Sequence, residues 1–510
     1  MKNLKYIYIS LGIIAFTACN DPEDVDITPE VIVEEPAELT AGSADFSNYV
    51  SLGNSLSAGF TDGALFIASQ NLSFPNLLSQ KFSLVGGGSF TQPLTNDNFG
   101  GLALGGARIQ APRLVFGGSG PVPLESLIGP VTVTTDIALN NPTGPFNNLA
   151  VPGAKSFHLL APGYGNLANV QLGLANPFAV RLTGSTPNAS MLELALAQSP
   201  SFFSLWIGNN DVLGYATTGG DGTNPITPVN GAPGVGFDGT YGALIATLTA
   251  GGAQGVVANI PNVVDIPHFT TVPYNPVPLD EATAAAVNQA YAPYNGGLQA
   301  ALGALSGLGL LTQEEVDART ISFAAGMNNA VVIEDETLTD LGAINPAFAA
   351  LPQIRQATAD DLLVLPAASF IGTLADPNNP LSVNGVAIPL ADKWVLLPSE
   401  QAEIAAATEA FNQIIEATAA QAGLALVDAN SLLNQLANGG ITSGDFTLTS
   451  SLVVGSAFSL DGIHPTARGY ALIANEFMKA IDDTYGSNFE ASGNLLNVGD
   501  YPTNYSPTLQ

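Results

Sequence analysis

The sequence predicts an α/β protein built on a doubly wound, mostly parallel sheet, and three observations lead there. Short apolar runs bounded by Gly, Pro or Asn recur along the chain, stretches with apolar residues at helical spacing separate several of them, and chemistry-bearing residues follow the ends of the runs. In such a sheet, ligands gather at the carboxyl ends of the strands.

The elements can be justified in order. Strands are predicted at 48–53, 147–151 (Asn-Asn-Leu-Ala-Val), 202–207 (Phe-Phe-Ser-Leu-Trp-Ile), 255–260 and 424–428. Helices are predicted at 237–251, 279–305, 399–422 and 465–483. The third of these begins beside Pro398 and stops before Gly423, as helix ends commonly do. Two regions do not fit a minimal sheet. Residues 61–146 are rich in Gly and Pro, and residues 306–397 hold extra strand signals at 330–333 and 362–365. Both are expected to be insertions that shape the approach to a site. The folded body is expected over 46–487, with 488–510 as a C-terminal tail.

Composition narrows the function. Of 510 residues, 46% are hydrophobic, enough for a large buried core. Asp and Glu number 43 against 12 Lys and Arg, a net charge of −31, which repels phosphate backbones and argues against a nucleic-acid partner. Cys19 is the single cysteine, so no disulfide framework and no cysteine-based metal cluster is expected.

The amino terminus has its own logic. Lys2 and Lys5 precede an apolar run to Ala18, too short to span a bilayer but suited to a secretory signal peptide over 1–18. Phe16-Thr17-Ala18-Cys19 resembles a bacterial lipobox, which implies cleavage before Cys19 and lipid on its sulfur. Residues 19–45, rich in acid and Pro, are expected to be a solvated tether. The cluster Asp21-Pro22-Glu23-Asp24 resembles the surface-export signal of Bacteroidetes-type lipoproteins, which implies an outer-membrane lipoprotein whose outer-face display is the expectation.

Acyl transfer requires a nucleophile, a base, a group that orients the base, and donors for an oxyanion. Histidine is the natural base near neutral pH, and the chain has three: His158, His268 and His464. His464 lies in Ser459-Leu-Asp461-Gly-Ile-His464-Pro465, where an Asp three residues ahead can reach the imidazole and Pro465 is expected to open the last helix. At the other end, Gly53-Asn54-Ser55-Leu56 places a Ser in a Gly-flanked turn directly after a strand. The chain contains no G-x-S-x-G elbow, which argues against an ordinary α/β-hydrolase.

Gly53-Asn54-Ser55-Leu56 resembles the first block of the SGNH/GDSL hydrolases, and Asp461-Gly-Ile-His464-Pro465 resembles their last. Asn148-Leu-Ala-Val-Pro-Gly153-Ala-Lys-Ser156 resembles the second block and Gly208-Asn209-Asn210-Asp211 the third, in the family's order. The resemblance implies a flavodoxin-like three-layer fold with Ser55 as nucleophile, His464 as base and Asp461 as its orienting acid. It also implies an oxyanion hole from the amides of Ser55 and Gly153 and the side chain of Asn210. One position departs: Asn54 stands where the family usually has Asp. An Asn keeps the local hydrogen bonds and removes a charge.

Asp265 and His268 share the triad spacing, yet they precede an irregular Pro-rich loop, and structural roles are expected for both His268 and His158. Ser57 is a neighbour of the nucleophile, and Asp211 is expected to stabilise its loop. No P-loop, dinucleotide fingerprint or metal cluster stands out, so no cofactor and no metal is expected. The implied function is a serine esterase or lipase acting on a lipid or an acylated small molecule or glycan. The alternatives are a carbohydrate O-deacetylase of the same fold and a non-catalytic surface-binding lipoprotein.

Overall fold

The computed structural model describes residues 37–509. The expected signal peptide, Cys19 and the tether up to residue 36 lie outside the described residues. Residues from Ala37 onward form a compact unit of their own. Among the described residues, no helix is long and apolar enough to cross a membrane.

The protein is a mixed α/β structure. Its main sheet holds β1 (Tyr49–Gly53), β2 (Phe202–Trp206), β3 (Gln254–Ala258) and β4 (Ala425–Val427), parallel and in that spatial order. Tyr49 lies opposite Phe202, and Val427 opposite Ala258. The remaining sheets are two-stranded antiparallel pairs.

Residues 147–151, expected as a strand, form one only loosely. Asn148 bridges Ser51 in parallel, Ser51 N–H donates to the Asn147 carbonyl (2.8 Å), and Leu149 and Val151 donate to Ser51 and Gly53. Two side-chain amides pull the segment out of regular register: Asn147 donates to the Tyr49 carbonyl and Asn148 to the Ser57 carbonyl, each at 2.9 Å. The segment still flanks the free side of β1, so the chain order reverses direction at β1. Such a reversal opens a crevice at the carboxyl ends of β1 and β2.

Six helices matter here: α1 (Phe74–Phe82), α2 (Asn209–Thr217), α3 (Phe237–Thr249), α4 (Glu281–Leu305), α5 (Pro398–Ala422) and α6 (Ala467–Tyr485). The strand residues alternate between two buried faces. Val50, Leu52, Phe203, Leu205 and Val257 pack with Tyr241 and Leu244 of α3 and Ile404 and Phe411 of α5. Tyr49, Phe202, Trp206 and Val256 pack with Phe74 and Leu77 of α1 and Tyr470 and Phe477 of α6.

Several expectations are corrected. The region 61–146 is not all insertion, because its apolar α1 residues complete the second core, with Phe82 stacked on Phe46 at 3.9 Å. Helix α4 does not cover the sheet. Its Tyr291 and Tyr294 hydroxyls donate to the Val386 and Ile354 carbonyls, so it belongs with the 306–397 region. Helix α6 starts at Ala467 rather than Pro465, because Thr466 caps it by accepting from Gly469 N–H. The end of the expected tether is docked rather than solvated: Ser43 N–H donates to Tyr485 O and Gln254 donates to Ser43 O. The tail also binds back, with Leu496 N–H on Asn475 and Ser506 O on Arg113.

The first turn of α5 carries an unusual charge arrangement. Glu400 is 4% exposed and accepts from Leu397 N–H, while Glu336 and Asp392 bring carboxylate oxygens within 4.8 Å of it and each other. Burial pushes the Glu400 carboxyl up to about 8, and its acidic neighbours add to the shift. A folded-state value above the ordinary one means the unfolded chain loses this proton first. Stability therefore falls as pH rises from about 4.5 to about 8. Glu400→Gln keeps an acceptor for Leu397 and removes the charge. Its melting temperature should exceed the parent's at pH 9, by a gain of about 1 kcal/mol, and match it at pH 4.

Candidate active site

The turn after β1 becomes a one-turn helix, Ser55–Ala58, capped by Asn54. Asn54 Oδ1 accepts from Leu56 N–H and its Nδ2 donates to Asn209 Oδ1, both at 3.0 Å. The Asn at this position therefore ties the Ser55 turn to the turn after β2, with a donor that an Asp lacks. As the first residue of its helix, Ser55 has an amide with no intrahelical partner.

His464 sits in a closed loop, where Ser459 N–H donates to His464 O at 2.7 Å. Gly462 takes φ +73°, and a Cβ there would meet Leu365 at 2.9 Å and the His268 backbone at 3.1 Å, so glycine is required twice over. The loop folds the Asp461 carboxylate onto its own amides. Oδ1 accepts from Ile463 N–H and His464 N–H at 2.9 Å, and Ser459 Oγ donates to it at 3.1 Å. Oδ2 lies 2.8 Å from His464 Nδ1 and accepts from Gly63 N–H at 2.8 Å.

Burial works against the Asp461 charge, but His464 and these amides outweigh it and hold the carboxyl well below its ordinary range. An ionised carboxylate can only accept, so Nδ1 carries a proton, and in the neutral imidazole Nε2 is the acceptor. The pair is partly accessible, with side-chain exposures of 13% for His464 and 12% for Asp461. The Phe60 ring packs 4.7 Å from the imidazole.

The two outer loops supply donors. Gly153 takes φ +79°, and its missing Cβ would have met nothing closer than 3.7 Å. Left-handed backbone rather than crowding thus demands glycine there. Asn210, in the first turn of α2, spends one side-chain N–H on the Ala154 carbonyl at 2.9 Å, which leaves the second free. The loops are riveted together by Asp211, which accepts from Ser156 N–H (2.8 Å) and Ser156 Oγ–H (2.7 Å). Burial raises the Asp211 pKa and these hydrogen bonds oppose the rise.

Ser55, Gly153, Asn210 and His464 line one cleft of about 380 Å³, at the crevice the strand order opens. Phe60, Phe178 and Ile463 make its apolar wall, and Gln110, Lys155 and Asn224 add polar groups. Ser55 and His464 share the cleft without a hydrogen bond between them; such contacts commonly tighten only with substrate seated. Gln110 brings the first insertion to the cleft, whereas none of its described lining residues comes from 306–397.

The other histidines go elsewhere. His158 accepts from Lys155 N–H and stacks on Tyr164, and burial and Lys155 push it down to about 4. His268 is 7% exposed, its two ring nitrogens have no partner, and burial pushes it down to about 4. Asp265 accepts from Asn262 instead. Among the described residues, the carboxylate set geometrically able to hold a metal is Glu336, Asp392 and Glu400, and none of these lines the cleft.

Sequence reasoning missed the clasp that joins the segment after the Ser55 turn to the Asp461–His464 loop. Thr61 Oγ donates to Pro465 O, Asp62 N–H to Ser459 Oγ, Leu460 N–H to Asp62 Oδ1, and Gly63 N–H to Asp461. Asp62 adopts φ +52° to do this, and burial together with nearby Asp461 pushes its carboxyl up to about 7, against the pull of Leu460 N–H and Arg113.

No family model matches the chain, and no curated protein matches it. Among solved structures, the chain is similar to an extracellular lipase from Streptomyces rimosus at 13% identity, over 86% of this chain and 99% of that one. The TM-score is 0.26.

Proposed function

We propose that this chain is a serine esterase of the SGNH/GDSL type, with a flavodoxin-like three-layer fold, that hydrolyses carboxylic esters through an acyl-enzyme. The observation that carries the reading is the single cleft lined by Ser55, Gly153, Asn210 and His464, with His464 Nδ1 held on Asp461 at 2.8 Å.

In this reading, Ser55 Oγ attacks the ester carbonyl while His464 Nε2 takes its proton. Asp461 holds the ring and stabilises the imidazolium. The carbonyl oxygen becomes an oxyanion, met by the Ser55 and Gly153 amides and the free N–H of Asn210. Collapse breaks the bond to the alcohol oxygen, which leaves with the proton from His464. Water then repeats the sequence on the acyl-Ser55 ester and releases the acid. No step calls on a metal or cofactor. Lipid at Cys19 would hold the enzyme to the cell envelope, with the outer face of the outer membrane as the proposed site.

Turnover of p-nitrophenyl esters of increasing chain length tests the reading. The protein should hydrolyse them, and Ser55→Ala should lose at least 10⁴-fold in kcat while keeping its melting temperature. A preference for the acetyl ester would favour the O-deacetylase alternative, and a folded protein with no turnover would leave the binding lipoprotein.

A further inference from the structure

The charge of this chain is unevenly spread. Between Asp97 and Glu193 lie two carboxylates, Glu125 and Asp136, in a protein of net charge −31, while of the four cations there Arg108 is exposed, Lys155 half-buried, and Arg113 and Arg181 buried. Both carboxylates are engaged. Glu125 pairs with Arg108 at 2.7 Å, and Asp136 accepts from the Gly105 and Gly106 amides.

The same stretch exposes large apolar side chains. Leu139 is 72% exposed, Leu172 and Leu174 are each 68% exposed, and Ile109 and Leu127 are exposed as well. These positions belong to one assembly. Arg108 ties the Ala107–Gln110 strand to the Glu125–Ile128 helix through Glu125. Asp136 ties the neighbouring hairpin turn to the Leu139 segment, since its carboxylate also accepts from Ala138 N–H. Leu102 and Ile137 then pack with Val180, Val170 and Phe178, which joins the 167–174 loop to the hairpins. Gln110 and Phe178 of this assembly line the cleft itself.

We propose that this acid-poor, apolar rim seats the cleft mouth on a zwitterionic lipid–water interface, so that the esters reaching Ser55 are those of lipids. The proposal rests on the esterase reading and deepens it. Leucines standing free in water lose apolar surface by entering the headgroup boundary, a gain proportional to area. The strongly acidic remainder of the protein is repelled by an anionic surface, so the match is to headgroups without net charge. Continuity of the rim with the cleft turns adsorption into substrate delivery.

The test uses the unit from Ala37 to Gln510, which contains both cores and has no lipid of its own, mixed with phosphatidylcholine vesicles and sedimented. The protein is expected to partition onto the vesicles, and a Leu139→Ser, Leu172→Ser, Leu174→Ser variant to lose at least tenfold in partitioning. The same variant is expected to hydrolyse a dissolved short-chain ester within twofold of the parent. Absence of partitioning overturns the proposal, as does partitioning that the variant leaves unchanged. Self-association that the variant abolishes, without vesicle binding, overturns it in favour of a second copy of the chain. Measuring Ser55→Ala in parallel separates the two readings. Rim-dependent partitioning with no ester turnover by the parent would retain the lipid surface and remove the esterase; turnover of dissolved esters without partitioning would do the reverse.

Discussion

Asp461→Asn is expected to lower kcat by about four orders of magnitude, the scale at which an orienting carboxylate acts in serine hydrolases. The geometry gives the reason. Oδ1 receives two backbone N–H groups and a hydroxyl, and Oδ2 receives Gly63 N–H and His464 Nδ1. An Asn must put its NH₂ on one of these sides. Placed on the Oδ2 side, it faces Gly63 N–H and donates to Nδ1, which drives the imidazole proton to Nε2 and removes the lone pair that must accept from Ser55. Placed on the other side, it opposes two backbone N–H groups. Either way a buried donor is unpaired, so a stability loss of about 1–3 kcal/mol should accompany the loss of rate. Rate and melting temperature measured on the same samples check both parts; a variant retaining a tenth of the parent's kcat would remove Asp461 from the mechanism.

Asn210→Ala is expected to cost about 10²–10³-fold in kcat with little change in KM, because its free N–H faces charge that develops only in the transition state. The other N–H is bonded to the carbonyl of buried Ala154, so a stability loss of about 1 kcal/mol should accompany the loss of rate without preventing folding. Asn210→Asp sharpens the comparison, since it replaces the donor by a negative charge next to the oxyanion and should be slower still. Steady-state kinetics on soluble esters read both. A rise in KM with unchanged kcat would make Asn210 a substrate-binding group instead.

Ser55, Asp461 and His464 were readable because each stands in a short local signal, a Ser just past a strand and an Asp three residues ahead of a His; Gly153 and Asn210 came from the family resemblance, and Phe60, Gln110, Phe178 and Asn224 of the same cleft carry no such signal. The sheet was readable because both faces of its strands are buried, which writes nearly unbroken apolar runs into the sequence. What escaped were long-range facts. Gly63 and Asp461 are 398 residues apart, and a backbone amide leaves no trace in residue type. The 147–151 segment has strand composition, but the amides of Asn147 and Asn148 are drawn to the backbone around β1 and the Ser55 turn, which a pattern of apolar residues does not reveal. Helix α4 has a good helical pattern whichever body it joins, and its long-range bonds, the tyrosine hydroxyls to Val386 and Ile354 and the amides of Asn288 and Asn295 to Phe323 and Ile321, place it away from the sheet. Thr466 displaced Pro465 from the start of α6 because a side-chain cap outranked the preference of Pro for the first turn.

The most direct test of the central claim is to treat the purified protein with a fluorophosphonate and locate the adduct by peptide mass. A single phosphonylated residue, Ser55, is expected, with labelling that is abolished in Ser55→Ala and strongly slowed in His464→Ala. Labelling at another residue, or no labelling of folded protein, would contradict that claim.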